Sequence, residues 1–282
     1  MKVSVIIPTY NEEETIGDCL RSLSIQAGED VEIIVVDDGS KDSTKIKIKS
    51  LRAQLNDKNI TLLEQEHKGP GEARNLGARY AKGEILVFVD ADMTFEADFI
   101  TKLVRLIREG ETKGTFSKEE YVSNWNNIWA NCWNINEGWI PRRRHPQKYP
   151  NKQKVFRALL KSEFDRVGGF DPSRGYTDDW SLSEKLGYKA QAVSGAIFYH
   201  KNPDSLLEVF KQAKWVGKRP YKLGIVGSIY ALLRSSFPAS ICVGFWKALF
   251  NKKPFFIFFK VVYDFGVFIG IIEYLLFGKV SK

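Results

Sequence analysis

Residues 83–93 read Gly83-Glu84-Ile85-Leu86-Val87-Phe88-Val89-Asp90-Ala91-Asp92-Met93. The apolar run Ile85–Val89 is rich in β-branched and aromatic residues, which predicts a strand buried on both faces. Asp90 and Asp92 follow it directly, and residues two apart in an extended chain point the same way. The two carboxylates therefore converge beyond the carboxyl end of the strand, where open α/β sheets bind ligands.

Two interpretations of this acidic pair are open. Carboxylate oxygens suit Mg²⁺ or Mn²⁺, which also accept oxygens of a substrate phosphate as ligands. Taken alone, however, Asp-x-Asp is equally typical of a strand that ends in a solvated acidic turn. The sequence upstream decides in favour of a ligand site.

That upstream sequence alternates between strand and helix patterns. Strands are predicted at Val3–Thr9, Val31–Val36 and Ile60–Glu64. Helices are predicted after Asn11, which is a suitable N-cap, over Asp42–Leu55, and from Gly69 to Lys82. This alternation indicates an α/β protein with a doubly wound parallel sheet.

The loops at the carboxyl edge of this sheet carry Glu12, Asp38 and the Asp90/Asp92 pair. Core packing does not explain such clustering, so this edge is predicted to bind a ligand. The glycine-rich loop Gly69–Gly77 has neither the dinucleotide nor the phosphate-loop fingerprint. Its helix N-terminus beside Arg74 can hold an anion, or it can be a glycine turn with a surface arginine.

Charge divides the chain unevenly. Residues 1–200 carry 29 Lys and Arg against 30 Asp and Glu, whereas residues 201–282 carry 13 against 4. The basic C-terminal part is also the most hydrophobic, a combination that favours an anionic membrane over nucleic acid as partner. The three cysteines match no metal or disulfide spacing, which indicates a reducing compartment. Met1-Lys2 leads directly into a strand, without a signal or transit sequence.

Two long apolar stretches, Leu223–Phe250 and Pro254–Phe277, end the chain. The second has 24 residues, enough to cross a hydrocarbon core of about 30 Å. Charged residues inside the stretches are costly in lipid, so kinked, tilted or half-embedded helices remain open, as does a soluble helical appendage or a dimer interface. These charged residues are Arg234, Lys260, Asp264 and Glu273.

The middle of the chain is ambiguous. Tyr121–Trp139 is predicted to be a helix with Trp125, Trp129 and Trp133 on one face. These tryptophans either pack on the core or line a surface that contacts an acceptor substrate or lipid. Residues 140–153 have no apolar period and predict a solvated loop. Arginine binds phosphate well, so a flap over a diphosphate or lipid phosphate is the alternative. The arginines of this loop are Arg142, Arg143 and Arg144.

Downstream, Val155–Leu160 is predicted as a strand and Ser162–Val167 as a short helix. Asp178 and Asp179, after Thr177, are suited by local sequence to cap a helix. Ala190–Tyr199 is predicted as one strand ending at His200. This histidine is a third metal ligand, a phosphate donor or a structural residue.

Four motifs then give a specific resemblance: Pro8-x-Tyr10-Asn11-Glu12, Val36-Asp37-Asp38-Gly39-Ser40-x-Asp42, Gly71-x-Ala73-Arg74-Asn75-x-Gly77 and Asp90-x-Asp92. In order and spacing, residues 1–200 resemble inverting family-2 glycosyltransferases, which have the nucleotide-sugar-binding GT-A fold. The resemblance implies an α/β, GT-A-type doubly wound mixed sheet. With the apolar C-terminus, it implies a position near the dolichol-phosphate mannose synthase and lipid-linked glycan transferase group.

The resemblance also implies roles for individual residues. Asp92 would ligate Mn²⁺ or Mg²⁺, with Asp90 contacting the nucleotide or a metal-bound water, and Asp179 would be the catalytic base. Asp178 stands where the family usually has glutamate. The residues implied to bind the nucleotide sugar, a GDP-mannose or a UDP-sugar, are Pro8, Tyr10, Glu12, Asp38, Gly71, Arg74, Asp90 and Asp178.

Lys211-Gln212-Ala213-Lys214-Trp215 is similar to the Gln-x-x-Arg-Trp signature of processive synthases, but two lysines depart from it. A basic amphipathic helix at the membrane surface is the simpler interpretation. Candidate contacts to acceptor or phosphate are Arg142, Arg143, Arg144, Trp180, Lys214 and Trp215.

The sequence therefore predicts a catalytic domain over residues 1–203, an interfacial helix over 204–222 and membrane-associated helices over 223–282. The expected activity is metal-dependent, inverting transfer of a sugar to a lipid-linked acceptor, at the cytosolic face of the cell membrane. The alternatives are an inactive membrane scaffold that keeps a nucleotide-sugar site, and a nucleotidyltransferase. Nucleic acid is not an expected partner.

Overall fold

The structure, a computed structural model, describes residues 1–26, 30–55 and 59–278, without the side chains of residues 175–177. The chain forms two compact units. Unit 1 consists of residues 1–121 and 148–200, and unit 2 consists of residues 122–147 and 201–282.

The described strands are β1 (Val3–Thr9), β2 (Val31–Asp37), β3 (Ile60–Glu64), β4 (Ile85–Phe88), β5 (Met93–Phe95), β6 (Gly114–Ser117), β7 (Glu120–Val122), β8 (Lys152–Gln153), β9 (Ala158–Leu160), β10 (Ala190–Val193) and β11 (Phe198–His200). The described α-helices are α1 (Ile16–Ser24), α2 (Thr44–Leu55), α3 (Pro70–Tyr80), α4 (Phe99–Arg108), α5 (Ile128–Glu137), α6 (Lys161–Arg166), α7 (Asp178–Leu186), α8 (Leu206–Gly217), α9 (Gly224–Arg234), α10 (Phe237–Asn251) and α11 (Phe256–Phe277). A 3₁₀ helix, Pro172–Thr177, precedes α7.

Unit 1 is built on an eight-stranded sheet of order β3-β2-β1-β4-β9-β6-β10-β8. The first four strands in this order are parallel, with Ile6 of β1 between Ile34 of β2 and Phe88 of β4. β9 runs antiparallel to both β4 and β6, so the sheet is mixed. The predicted doubly wound mixed sheet is therefore confirmed, and its parallel half brings the carboxyl ends of β1, β2 and β4 to one edge.

Both faces of the sheet are covered, because its central strands are apolar on both sides. One face packs against α1, α2 and α4, with Ile7, Val35 and Val87 fully buried. The other packs against α3, α6 and α7, with Ile6 and Phe88 at its centre. The apolar run next to the acidic pair is thus a central strand, as its composition predicts.

Three local predictions are wrong. Asn11 is not a helix cap: its φ is +55°, and the helix begins at Ile16, because the Asn11 amide oxygen accepts a hydrogen bond from the Lys41 backbone N–H at 2.8 Å. The region Ala190–Tyr199 is two strands in different sheets, because Gly195, at φ +81°, turns the chain between them.

The tryptophan helix is also shorter than predicted. The side chain of Asn127 caps α5 by accepting hydrogen bonds from the backbone N–H groups of Trp129 and Ala130, at 2.8 and 3.1 Å. Trp125 therefore lies in a turn before the helix. Trp129 and Trp133 remain on one helical face and pack edge-on against Phe255 and Phe259 of unit 2.

Unit 2 is helical. α11 packs along α8, where glycines allow the two backbones to approach: a Cβ on Gly270 would lie 2.1 Å from the Lys214 carbonyl oxygen. α10 packs on another side of α11, and α5 covers its first turns.

Within residues 1–26, 30–55 and 59–278, no single helix is both long and apolar enough to cross a bilayer. α9 and α10 taken together have sufficient length and apolar composition, but they are bent by 62° at their junction.

Candidate active site

Asp38 closes the loop after β2. It is 2% exposed, and its carboxylate accepts hydrogen bonds from the backbone N–H groups of Lys68 and Gly69, both at 2.8 Å. The side chains of Gln65 and His67 lie at 2.7 and 2.9 Å from the same carboxylate. Asp38 therefore fixes the loop before α3 against the carboxyl end of β2.

An aromatic pair lies at this part of the edge. The rings of Tyr10, just after β1, and His67 stack with centroids 4.0 Å apart and an angle of 25° between their planes. Tyr10 is 37% exposed and the His67 side chain 49%. Pro8, within β1, is buried opposite Val36. An exposed pair of flat rings above a polar loop is a surface on which a nucleobase can stack.

Glu12 lies in the turn before α1. Its backbone N–H donates to the Thr44 hydroxyl at 2.8 Å, and its carboxylate accepts from the Thr15 hydroxyl at 2.6 Å. Burial raises the pKa of Glu12 to about 7, and the negative charges of Asp92 and Asp90 add to this rise. The hydrogen bond from Thr15 lowers the pKa but does not cancel the rise. Glu12, Asp90 and Asp92 therefore share one electrostatic environment, as the sheet-edge argument predicts.

Arg74 is the centre of the site. It lies in the second turn of α3 and is 6% exposed. One guanidinium nitrogen donates to Asp90 Oδ1 at 2.9 Å, and another donates to Asp179 Oδ1 at 2.8 Å. Both oxygens of Asp178 lie 3.5 Å from the latter nitrogen. The interpretation of Arg74 as a surface arginine is therefore wrong.

Asp90 is held by two arginines. Its second oxygen accepts a hydrogen bond from Arg157 Nη1 at 3.1 Å. Burial alone would raise the pKa of Asp90, but the charges of Arg157 and Arg74 outweigh it and hold that pKa well below its usual range. Asp90 is therefore an anion that orients two cations at the sheet edge.

Asp178 occupies the first turn of α7 and is 4% exposed. Burial is the main reason that its pKa rises to about 6; Arg74 opposes this rise and Asp179 reinforces it. Gly71 of α3 makes room for it, because a Cβ at that position would lie 2.6 Å from Asp178 Oδ2. Asp178 thus fills the space behind Arg74, while the Asp179 side chain is 37% exposed.

Asp92 and His200 meet at the other side of the edge. Asp92 Oδ2 lies 2.7 Å from His200 Nε2, and Glu120 Oε1 lies 3.0 Å from His200 Nδ1. β11 pairs with β5, and this pairing sets His200 opposite Met93, the residue that follows Asp92. In the described residues, no group of three or more His, Cys, Asp or Glu side chains is arranged to hold a metal ion.

Six further residues were predicted to contact the acceptor or a phosphate. Trp180 is in unit 1, 44% exposed, with Lys154 Nζ 5.1 Å from its ring centroid. The remaining five residues belong to unit 2. Lys214 pairs with Glu273 at 2.5 Å, and Arg219 lies over the Trp215 ring at 5.0 Å. The other three are Arg142, Arg143 and Arg144.

Arg157 and His67 are among the residues of the site that were not predicted. Arg157 carries a charge inside the apolar segment that was predicted as strand Val155–Leu160, and that mismatch was the available signal. His67 lies in a polar loop after a predicted strand, and no sequence pattern distinguishes it from other loop residues. Only the folded structure brings its ring into contact with the ring of Tyr10.

Comparison with known families assigns the chain to a family. Residues 4–170, more than half of the chain, match the family model described as Glycosyl transferase family 2. The chain belongs to glycosyltransferase family 2. The sequence resemblance to this family is thus confirmed, whereas its nearness to dolichol-phosphate mannose synthase stays a prediction.

Two similar proteins are named as poly(ribitol-phosphate) glycosyltransferases. Poly(ribitol-phosphate) beta-N-acetylglucosaminyltransferase TarS of Staphylococcus aureus is 42% identical over 104 residues, which is 36% of this chain and 17% of TarS. The poly(ribitol-phosphate) beta-glucosyltransferase of Bacillus spizizenii is 35% identical over 122 residues, 42% of this chain and 19% of that protein. The match thus spans less than a fifth of each relative's length.

Solved structures agree on the family-2 fold. The crystal structure of TarS residues 1–349 has a TM-score of 0.57 and 17% identity, covering 100% of this chain and 93% of that chain. The mannosyltransferase PcManGT of Pyrobaculum calidifontis, in complex with GDP-Man and Mn²⁺, has a TM-score of 0.61 and 19% identity, covering 99% and 88%. At these identities, the likeness establishes the shared GT-A-like fold.

Proposed function

We propose that this family-2 enzyme is a membrane-attached, inverting, metal-dependent glycosyltransferase. It would transfer a sugar from a nucleotide diphosphate to a lipid-linked acceptor, either a polyprenyl phosphate or a lipid-linked glycan, at the cytosolic face of the cell membrane. The observation that carries the proposal is the double hydrogen bond of Arg74, to Asp90 at 2.9 Å and to Asp179 at 2.8 Å. One side chain links the carboxylate expected at the donor to the carboxylate expected at the acceptor.

The donor side is supported by the neighbours. TarS has been crystallised with UDP and with UDP-GlcNAc, and PcManGT with GDP-Man. In this chain, the Tyr10–His67 stack offers a flat surface for the base, and the loop fixed by Asp38 offers backbone groups beside it. We infer a nucleotide sugar as donor, with the nucleobase on that stack.

Asp179 is the proposed base. An acceptor hydroxyl must lose its proton as it attacks the anomeric carbon, and a partly exposed carboxylate within hydrogen-bond reach can take it. The hydrogen bond from Arg74 orients the Asp179 carboxylate before the acceptor arrives. A single displacement with one base inverts the anomeric configuration.

Two side chains at the edge, Asp92 and His200, are candidate ligands for a divalent cation. Mn²⁺ and Mg²⁺ also take water and substrate phosphate oxygens as ligands, so two protein side chains can be sufficient. When bound, such an ion would neutralise charge that develops on the departing diphosphate. Asp92 and His200 would hold it, while Asp90 stays bound to Arg74 and Arg157. The Nε2 atom of His200 must carry no proton to act as a ligand.

The acceptor and the membrane are inferred from the C-terminal region. The segment 201–282 has 13 basic against 4 acidic residues, and unit 2 exposes many large apolar side chains. Basic charge next to exposed apolar surface suits an anionic lipid surface. A transferase held there meets acceptors that are themselves lipid-linked.

A donor panel tests the proposal. Purified protein in detergent would be given GDP-mannose, UDP-glucose or UDP-GlcNAc with Mn²⁺ or Mg²⁺, and thermal shift and nucleoside diphosphate release would be followed. We expect a metal-dependent shift with one donor, lost in Asp92→Ala and kept in Asp98→Ala, a surface aspartate paired with Lys102. No response to any donor would overturn the activity, and release of pyrophosphate from a nucleoside triphosphate would indicate a nucleotidyltransferase.

A further inference from the structure

Helices α9 and α10 are exposed on almost all sides. In α10, the buried positions are Ser240, Gly244 and Ala248, a stripe of small residues one helical turn apart. In α9, the buried position is Ser228. Everything else on these helices is exposed or half-buried, including large apolar side chains: Ile225, Val226, Ile229, Tyr230, Leu233, Phe237, Ile241, Val243, Phe245, Trp246, Leu249 and Phe250.

The distribution of apolar side chains around α10 indicates which environment covers it. A helix that docks on a protein, or lies on a membrane surface as an amphipathic helix, has one apolar face and one polar face. Trp246, Leu249 and Phe250 are 57%, 59% and 78% exposed, and they surround α10 on sides away from its small-residue stripe. Apolar side chains all round a helix require an apolar medium, which only the lipid chains of a bilayer provide on several sides.

α11 differs, although its sequence is the most apolar. Phe256, Phe259 and Ile271 are fully buried, and the charged pair Lys260–Asp264 is buried within unit 2 at 2.7 Å. Its large exposed side chains in the body of the helix lie on one stripe at Phe258 and Phe265. α11 is therefore the core helix of unit 2 and not a separate span.

The ends of α11 and α8 are polar where they meet. Glu273 of α11 pairs with Lys214 and Lys218 of α8, at 2.5 and 2.7 Å. These charges are partly exposed, and they flank the segment that leads into α9. This places an aqueous boundary next to the beginning of α9.

Length and charge oppose a crossing by α9 and α10. At 1.5 Å per residue, helices of 11 and 15 residues are about 16 and 22 Å long, each shorter than a hydrocarbon core of about 30 Å. Basic residues flank both ends of the pair: Lys218, Arg219 and Lys222 before α9, and Lys252 and Lys253 after α10. Because both ends of the α9–α10 pair carry cations, both ends are expected at the same anionic membrane surface.

The two charged residues within the helices are compatible with this arrangement. Lys247 turns inward and lies 3.3 and 3.2 Å from the carbonyl oxygens of Ile135 and Asn136, at the end of α5. Arg234 lies at the 62° bend, with a side chain long enough to reach headgroups.

We propose that α9 and α10 form a monotopic anchor immersed in a single leaflet of an anionic bilayer, both of whose ends return to the same surface. This deepens the membrane attachment in the proposed function and rests on it, while leaving α11 and α8 on the aqueous side. A complete crossing by the pair and a dimer interface between two copies are the competing arrangements.

Vesicle flotation tests the lipid contact. The full chain would be mixed with vesicles of phosphatidylcholine and phosphatidylglycerol, and the bound fraction measured. We expect Trp246→Glu with Phe250→Glu to weaken binding at least about tenfold, because two large apolar side chains leave the lipid. Leu207→Glu is the matched control, since Leu207 is 62% exposed but lies at the start of α8, and it should bind as the wild type does.

The native cysteine gives the depth of insertion. Cys242 is exposed near the middle of the predicted anchor, whereas Cys19 and Cys132 are buried. A fluorophore on Cys242 should be quenched by nitroxides on the lipid chains. Quenching from the aqueous phase alone would overturn the proposal.

Single cysteines at both ends separate a monotopic anchor from a crossing. Lys222→Cys and Asn251→Cys, each with Cys242→Ser, would be added to preformed vesicles and treated with a membrane-impermeant maleimide. Labelling of both sites supports the monotopic anchor. Protection of one site until detergent is added would show a crossing and overturn it.

Two further outcomes separate this inference from the proposed function. Absence of flotation, together with a dimer that Trp246→Glu converts to monomer, would show a self-interface and overturn the anchor. Asp92→Ala should float as the wild type does, so a failed donor assay with intact flotation would overturn the enzyme proposal alone. Lost flotation with intact nucleotide response would overturn the anchor alone.

Discussion

Asp179 of α7 accepts a hydrogen bond of 2.8 Å from Arg74 of α3, a residue 105 positions earlier in the chain. The same guanidinium reaches Asp90 at 2.9 Å. The arginine is buried, whereas Asp179 is partly exposed. A fixed cation therefore presents a carboxylate to solvent at the carboxyl edge of the sheet, and substitutions of either residue test this arrangement.

Asp179→Asn should abolish the proposed proton transfer. An amide has almost the same shape but is not a base, so we expect the transfer rate to fall about 10²–10⁴-fold. Nucleotide affinity should change little, since the role proposed for Asp179 concerns the acceptor and not the nucleotide. Initial rates with thermal-shift titration of the donor measure both. Asp165→Asn, at an exposed aspartate paired with Lys161, is the control, and unchanged turnover in Asp179→Asn would exclude the base role.

Arg74→Ala should destabilise unit 1 strongly. It leaves Asp90 with Arg157 alone and Asp178 buried without its cation, a loss typically of about 3–5 kcal/mol. The matched control is Arg79→Ala in the same helix, whose side chain is 58% exposed and pairs with Glu72, and which should cost less than about 1 kcal/mol. Urea unfolding measures both, and equal losses would contradict the central role of Arg74.

Arg74→Lys should restore folding better than function. The planar guanidinium group of arginine donates to two carboxylates from two different nitrogens, whereas the ammonium group of lysine is a point charge on a single nitrogen. We expect higher stability than Arg74→Ala, yet activity well below the wild type. Full activity in Arg74→Lys would show that only its charge matters.

Gly71→Ala should move Asp178. The new Cβ would lie 2.6 Å from Asp178 Oδ2, so the carboxylate must shift away from Arg74. We expect lower stability and lower activity, measured by thermal unfolding and turnover. Gly17→Ala in α1 is the control, because its Cβ would meet only the flexible end of Arg21 at 3.3 Å. Equal stability and equal turnover of Gly71→Ala and Gly17→Ala would contradict the close packing of Gly71 against Asp178.

Glu12→Gln should change how stability depends on pH. The fold raises the pKa of Glu12 from 4.5 to about 7, so the folded state binds more protons than the unfolded state between these values. Stability is thus lost as the pH rises through that window, by on the order of 1–3 kcal/mol. The variant lacks this loss and should be more stable than the wild type at pH 8, but not at pH 4.

Thermal unfolding in the presence of a chelator measures this difference, because a bound cation would offset the charge of Glu12. Glu14→Gln, an exposed neighbour in the same turn, serves as the control. A constant difference between Glu12→Gln and the wild type from pH 4 to pH 8 would contradict the raised pKa.

Much of unit 1 is predictable because its signals are local. Apolar runs such as Ile85–Phe88, rich in β-branched and aromatic residues, are typical of central strands, and polar residues directly after them are expected at the sheet edge. The failures have other causes. Asn11 and Asn127 bond to backbone groups in ways that redirect the chain, and Gly195 turns it where the apolar pattern continues.

The sequence by itself determined the α/β sheet, the carboxylates at its edge and the family, since these depend on short patterns that are each contained in one segment. Only the tertiary structure joined Arg74 to Asp90 and Asp179, added Arg157 and His67, and separated the buried α11 from the exposed α9 and α10. These contacts join side chains that are distant in sequence. Their interaction energies depend on burial and on the distances between charges, both of which are set only when the chain folds.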